Sequence, residues 1–213
     1  MPHSDNPLGD LETARARTRD IYHRAAQGYD AHRAKILFER DWLDRFLANL
    51  PRSPKILDVG CGTGDPIARY LIEQGCILTG IDFAPGMLTL AQQRFPDHRW
   101  IEADMRSLHL DETFDGVLSW DASFHLTGDE QRDAIPLLAK HASPGGALMC
   151  TIGPDEGEVT GTVEGERVYH ASLAPSEYRS ILSGLGFSDI TFGLEDPDCN
   201  FHSIALATNK KPK

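Results

Sequence analysis

The richest chemistry in this chain falls in one stretch, Asp58-Val59-Gly60-Cys61-Gly62-Thr63-Gly64-Asp65-Pro66. Alternating glycines let a backbone turn sharply and let a ligand reach its N–H groups without meeting a Cβ. A glycine turn that joins a strand to a helix is a cradle for a nucleotide-type ligand. Asp82 closes the next apolar run, Cys76 to Ile81. An acid at the end of a second strand is placed to hydrogen-bond ribose hydroxyls. Either feature alone also fits a plain connecting turn; the pair is much more specific.

A second group of chemistry-bearing residues is Trp120, Asp121, Phe124 and His125. His125 is the best candidate for a general base, because an imidazole titrates near neutral pH. It fits a capping or packing role equally well. Asp121 either orients it or binds a cationic substrate. His170 is a weaker candidate and His202 weaker still. Cys61 reads as a small turn residue, since nothing near it in sequence would activate a thiol. The four cysteines, at 61, 76, 150 and 199, form no C-x-x-C pair, so neither a zinc site nor a disulfide framework is expected. No metal is expected.

These groups need elements that bring strand ends together. Lys55 to Val59 is a short apolar run fit for a buried strand. Asp65 as N-cap and Pro66 as first helical residue would open a helix carrying Ile67, Tyr70 and Leu71 and ending at Gly75. A further helix opens at Pro85, carries Met87, Leu88 and Ala91, and stops before Pro96. A strand with Trp100 and Ile101 ends at Asp104, and a fourth spans about 114 to 119. Thr127-Gly128-Asp129-Glu130 is a capping box ahead of the stripe Ile135, Leu138, Ala139 and Ala142. A fifth strand spans about 146 to 152. Alternating strands and helices argue for a parallel, doubly wound sheet. In such sheets ligands sit outside the carboxyl ends of the strands, which selects the glycine turn, Asp82, Phe83, Asp104, Met105, Trp120, Asp121, Phe124, His125, Asp196 and Asp198.

The flanks differ. Residues 1 to 10 read as disordered. Helices follow at about 11 to 30, with Ile21, Tyr22, Ala25 and Tyr29 on one face, and at about 36 to 50, with Ile36, Leu43, Phe46, Leu47 and Leu50 inward. After Ile152 an acidic, glycine-rich insertion spans 153 to 173, within which Val159 to Val163 and Arg167 to His170 form a hairpin. Pro175 starts the last helix. Strands at about 187 to 195 and 201 to 208 make a terminal antiparallel hairpin.

The glycines are spaced G-x-G-x-G with Asp58 two residues ahead, not the G-x-G-x-x-G of dinucleotide binders. With Asp82, and with Ile101-Glu102-Ala103-Asp104-Met105, Phe114-Asp115-Gly116-Val117-Leu118-Ser119-Trp120 and Pro144-Gly145-Gly146-Ala147-Leu148, the pattern resembles the class I S-adenosylmethionine-dependent methyltransferases. The resemblance covers about 55 to 152. It implies an α/β, Rossmann-like sheet of seven strands, mostly parallel with an antiparallel C-terminal hairpin. It also implies one methyltransferase domain over 1–213, with an N-terminal helical cap (1–50) and the 153–173 insertion over the active-site edge. S-adenosylmethionine is the implied cofactor and S-adenosylhomocysteine its product. Gly60, Gly62 and Gly64, flanked by Asp58 and Cys61, would hold the methionine part and Asp82 the ribose. Asp104 would take the adenine amino group, Met105 would lend backbone, and Phe83 and Met87 would be apolar walls. Tyr29, in a segment like the one that covers the cofactor in small methyltransferases, would touch it or simply pack. Trp120 would lie on the cofactor or on the next helix.

Absences narrow the acceptor. The fourth strand does not end in the Asn/Asp-Pro-Pro-aromatic motif of amino-group DNA methyltransferases, and the Pro-Cys dipeptide of cytosine carbon methyltransferases is missing. The formal net charge is -11, with no long basic run, which disfavours nucleic acid. No apolar run is long enough to span a membrane, and no secretory segment opens the chain. The expectation is a cytoplasmic monomer or homodimer with a small-molecule acceptor. A non-catalytic cofactor-binding module is the alternative, and an NAD-dependent oxidoreductase a more distant one, which the glycine spacing and hairpin disfavour.

Overall fold

The computed structural model describes residues 7–212. In chain order it holds α1 (Pro7–His32), α2 (Arg40–Leu47), β1 (Lys55–Val59), α3 (Ile67–Glu73), β2 (Ile77–Asp82), α4 (Pro85–Arg94), β3 (Arg99–Glu102), β4 (Phe114–Ser119), α5 (Gly128–His141), β5 (Ala142–Ile152), β6 (Gly157–Val163), β7 (Glu166–Ser172), α6 (Pro175–Gly184), β8 (Phe187–Asp196) and β9 (His202–Lys210). Seven strands form one sheet in the order β3-β2-β1-β4-β5-β9-β8. Pairing is parallel from β3 to β5, and β9 runs antiparallel to both neighbours. The doubly wound Rossmann-like sheet with its antiparallel terminal hairpin is therefore as the sequence pattern predicts. Strands β6 and β7 form a separate antiparallel pair.

Apolar side chains cover both faces of the sheet. On one face Ile135, Leu138, Leu182 and Phe187 pack on Leu57, Val117 and Leu148. On the other, Trp42, Leu43, Phe46 and Leu71 pack on Ile56, Leu78 and Leu118. Strand order reverses between β1 and β4, which opens a crevice at their carboxyl ends.

Helix α1 crosses that crevice. Arg19 donates to the Phe83 carbonyl (2.7 Å) and pairs with Glu102. His23 Nδ1 accepts from the Gly86 N–H (3.0 Å), and Asp30 takes Arg94 (2.8 Å) and the Thr63 hydroxyl (2.7 Å). Burial works against charge on Asp30, but Arg94, Thr63 and Lys35 outweigh it and hold the pKa at about 2.

Several local expectations are corrected. Disorder was expected over residues 1 to 10; residues 1–6 lie outside the described ones, and from Pro7 the chain is helical. The second helix is shorter than 36 to 50, and Ile36 is 80% exposed, because the chain turns before α2 and leaves it outside the packed face. Asp65 is not the N-cap of α3: Pro66 holds that position without a side-chain cap, and the Asp65 carboxylate accepts from Arg69 (3.0 Å) and pairs with Lys35 instead. Strand β5 starts at Ala142, earlier than 146, across an irregularity in its pairing with β4. The Thr127–Glu130 capping box is present.

Candidate active site

The glycine turn is fastened from behind. The Gly60 and Cys61 N–H groups donate to the Ile81 carbonyl (2.8 and 3.0 Å). Asp82 then ties the turn to the next helix: one oxygen accepts from the Gly62 N–H (2.9 Å), the other from the Ala84 N–H (2.8 Å). A Cβ on Gly60, where φ is +78°, would stand 2.2 Å from that of Ala122, so only glycine lets the β4 loop approach. A Cβ on Gly62 would meet nothing within 4 Å, so this face of the turn is open.

That open face is one wall of a cavity of about 470 Å³. Of the residues named from the sequence, Tyr29, Asp58, Gly60, Cys61, Gly62, Gly64, Asp82, Phe83, Met87, Asp104, Met105, Trp120, Asp121 and His125 line it. The volume lies in the range of pockets that bury small ligands.

The charges in this cavity are unevenly matched. Asp58 is 3% exposed. Burial, and then the charge of Asp82, push its pKa up to about 7. Burial raises Asp82 to about 6, against the pull of the N–H groups it binds. Asp104 is the reverse case. The side chain and backbone of Arg106 bind it closely, which lowers its pKa. Its carboxylate thus already serves a guanidinium, and an adenine amino group would have to share it. Arg106 continues to Glu130 (3.0 Å), which also takes Arg15 of α1 (2.8 Å). Burial pushes the Cys61 thiol well up, which suits a turn residue and not a nucleophile.

His125 is not a free base in this structure. Its Nδ1 lies 2.8 Å from the Tyr169 carbonyl, which can only accept, so Nδ1 carries the proton. Nε2 is then the acceptor, and the Tyr22 hydroxyl donates to it at 3.0 Å. Burial lowers the His125 pKa to about 4, only partly opposed by the Tyr169 carbonyl. The ring of His170 stands 5.0 Å from that of His125 and 4.5 Å from that of Phe124. His170 and Phe124 therefore back the site and do not line it.

Asp121 does not orient His125; it pairs with His202. It sits just after β4 at φ +49°, with its N–H on the Thr151 hydroxyl (2.8 Å). His202 Nε2 lies 3.2 Å from Asp121 Oδ1 and 3.3 Å from Oδ2, and His202 Nδ1 donates to the Cys199 carbonyl (2.9 Å). The imidazole is stacked between Phe38 (5.2 Å) and Trp120 (5.7 Å). Burial opposes its charge, but Asp121 outweighs burial and the pKa is raised. Asp196 and Asp198 are not in the cavity. Asp196 takes the Trp42 indole N–H (2.7 Å) and the Asp198 N–H (3.0 Å), both structural bonds.

Sequence reasoning underrated His202 and did not single out Arg33, Arg15, Arg19 or Glu130, all but His202 lining the cavity. No local spacing marks His202 or the arginines, because each is placed by packing between distant segments, whereas Glu130 is held locally by its capping box. Among the described residues no cluster of His, Cys, Asp and Glu has the arrangement of a metal site, and no helix is long and apolar enough to cross a membrane.

Residues 56–146 match the methyltransferase-domain family. The chain is 32% identical over 111 residues to a dTDP-3-amino-3,4,6-trideoxy-alpha-D-glucopyranose N,N-dimethyltransferase of Streptomyces venezuelae, covering 51% of this chain and 46% of that one. It is 33% identical over 131 residues to a malonyl-[acyl-carrier protein] O-methyltransferase of Enterobacter lignolyticus, covering 60% and 50%. The chain thus spans about half the length of these curated relatives. Its fold matches that of CalS10, an amino pentose methyltransferase from Micromonospora echinaspora solved with S-adenosylmethionine bound, with TM-score 0.68 and 23% identity over 89% of this chain and 96% of the other. Over residues 56–146 the chain is thus similar to methyltransferase domains.

Proposed function

We propose that this chain is an S-adenosylmethionine-dependent methyltransferase that acts on a small molecule and releases S-adenosylhomocysteine. The observation that carries the reading is a single cavity. The open glycine turn, Asp58, Asp82, Met87 and Met105 form one side of it, and Tyr22, Tyr29, Asp121 and His125 another. The residues fit the cofactor: the Gly62 face is open, Asp58 is buried without a cation beside it, and the Trp120 indole N–H has no partner. Gly60, Cys61, Gly62 and Gly64 with Asp58 would hold the amino acid part, Asp82 the ribose and Asp104 the adenine edge. Phe83, Met87, Met105 and Trp120 would pack on it, with Tyr29 beside them. When bound, the cofactor supplies a methyl group already activated on a sulfonium.

The protein then has to position the acceptor, exclude water and manage any proton. Residues 7–50, as a cap, and 153–173, as an insertion, form one domain with the rest and close over the same edge. Two contacts support this: Arg15 of α1 reaches Glu130, and the Tyr169 carbonyl of β7 holds His125. Asp121 faces the acceptor, and His125 acts on it through Tyr22. If the acceptor loses a proton, Tyr22 Oη takes it while passing its own proton to His125 Nε2. The lining mixes apolar side chains with acids that outnumber its arginines, which suits a compact molecule and not an anionic polymer, and a cytoplasmic setting accords with that use.

The test has two stages. S-adenosylhomocysteine is expected to raise the melting temperature, as any ligand of the native state does. A metabolite screen read by S-adenosylhomocysteine formation is then expected to find an acceptor. No stabilisation by either form of the cofactor would overturn the reading; binding without turnover across the screen would make the chain a binding module.

A further inference from the structure

The acceptor side of the cavity holds an acid whose surroundings are unusual. Asp121 lines the cavity with its side chain 27% exposed, yet Oδ1 is buried, and although His202 Nε2 lies 3.2 Å away it makes no hydrogen bond. An ionised carboxylate accepts about four hydrogen bonds. This one has a single long one, from His202 to Oδ2. Four other acids of the wall are served differently. Asp82 takes backbone N–H groups, Asp104 and Glu130 take arginines, and Asp65 takes Arg69 and Lys35. His202 is wedged between two aromatic rings with its far nitrogen on a carbonyl. It therefore holds the carboxylate in place while leaving acceptor capacity unused.

The base available beside it is poor. The His125 lone pair is occupied by Tyr22, and the half-buried imidazole is largely desolvated. A hydroxyl nucleophile needs a base of matched strength in the transition state. A thiolate would bring negative charge towards Asp121, Asp82 and Asp58. A neutral amine needs neither: it brings its own lone pair, and the reaction leaves positive charge on nitrogen.

Resting on the methyltransferase reading, we propose that the acceptor is an amine, and that Asp121, positioned by His202, receives the positive charge as it forms on the acceptor nitrogen. The N–C bond forms from the amine lone pair. The C–S bond breaks with its electrons going to sulfur, and the charge passes from sulfur to nitrogen. The proton on that nitrogen is held by Asp121 and leaves with the product as an ammonium. No base is consumed. Fixed charge aimed where charge develops is the type of stabilisation that contributes most in a water-excluded site. The charged groups that face Asp121 are His202, Arg33 and Glu39, with His125, His170, Tyr22 and Tyr29 nearby.

The probe is sinefungin, in which a carbon bearing an ammonium replaces the methylated sulfur, compared with S-adenosylhomocysteine by calorimetry. The wild type is expected to bind sinefungin about tenfold or more tightly, on the scale of a charge-assisted hydrogen bond. In Asp121→Asn that preference is expected to vanish while S-adenosylhomocysteine affinity changes by less than about threefold. If S-adenosylhomocysteine binds and the preference is absent, or survives in the variant, the proposal is overturned and the cofactor reading stands. If neither compound binds, it is the cofactor reading that fails. A screen of matched amines and alcohols decides the acceptor atom: turnover confined to alcohols overturns the amine, and turnover of amines supports it.

Discussion

Asp58→Asn is the perturbation whose size the structure specifies best. The carboxyl is 3% exposed, and burial raises its pKa from 3.8 to about 7. At about 1.36 kcal/mol per unit, ionising it in the folded protein costs about 4 kcal/mol more than in the unfolded chain. The sign follows from the raised value. Stability is fully present below pH ~4, where both states hold the proton, and is lost as pH climbs towards about 7. Asparagine has the same shape and no charge to lose. The cofactor-free variant is therefore expected to match the wild type near pH 4 and to exceed it by about 4 kcal/mol at pH 8. For a chain of this size that is roughly 8–15 °C in melting temperature. Differential scanning calorimetry of both proteins at pH 4, 6 and 8 makes the comparison, and groups common to both cancel. S-adenosylhomocysteine brings an ammonium and should narrow the gap at pH 8 by binding the wild type more tightly. A difference that stays flat with pH, or an asparagine variant less stable at pH 8, would refute the argument that Asp58 is held at a cost. Such a cost, recovered on binding, is the usual form of the trade between stability and function.

Asp82→Ala is expected to weaken S-adenosylhomocysteine binding by about ten- to a hundredfold, through lost ligand bonds and a loosened glycine turn; unchanged affinity by calorimetry would remove Asp82 from the ribose. Tyr22→Phe and His125→Ala test the same contact: with an amine acceptor each should lower turnover by less than about tenfold, whereas a loss of a hundredfold or more would point to base catalysis. In Asp121→Asn the imidazole of His202 should titrate lower by NMR, because burial then acts without its counter-charge; an unmoved titration would mean the two groups do not pair. Hydrogen exchange should slow in residues 7–32 and 153–173 when cofactor and acceptor bind, and equal exchange in free and bound protein would make both segments scaffold.

Much of the fold was legible because its signals are local. The glycine turn, the acid closing β2, the Thr127–Glu130 box and the alternation of strands and helices each span few residues, and backbone chemistry acts over that range. The cofactor half of the site came with them, since strand ends in such a sheet converge by topology. Local rules failed where two were in competition. Asp65 is a good N-cap by type, but an arginine one turn on and a lysine from another segment took its carboxylate. Asp196 stands at a strand end, yet an indole N–H holds it outside the cavity.

The sequence by itself determined the sheet, the turn and the acids that face it. Only the tertiary structure decided the state of the reactive groups. Tyr22 reaches His125 across 103 positions, and His202 reaches Asp121 across 81. Whether an imidazole is a free base, a proton-loaded partner or a neutral acceptor depends on which groups packing brings against it and how much water is removed. Neither is a property of neighbouring residues along the chain, so histidines that look alike in sequence, His125 and His202, are driven in opposite directions by burial without a charge and burial beside one.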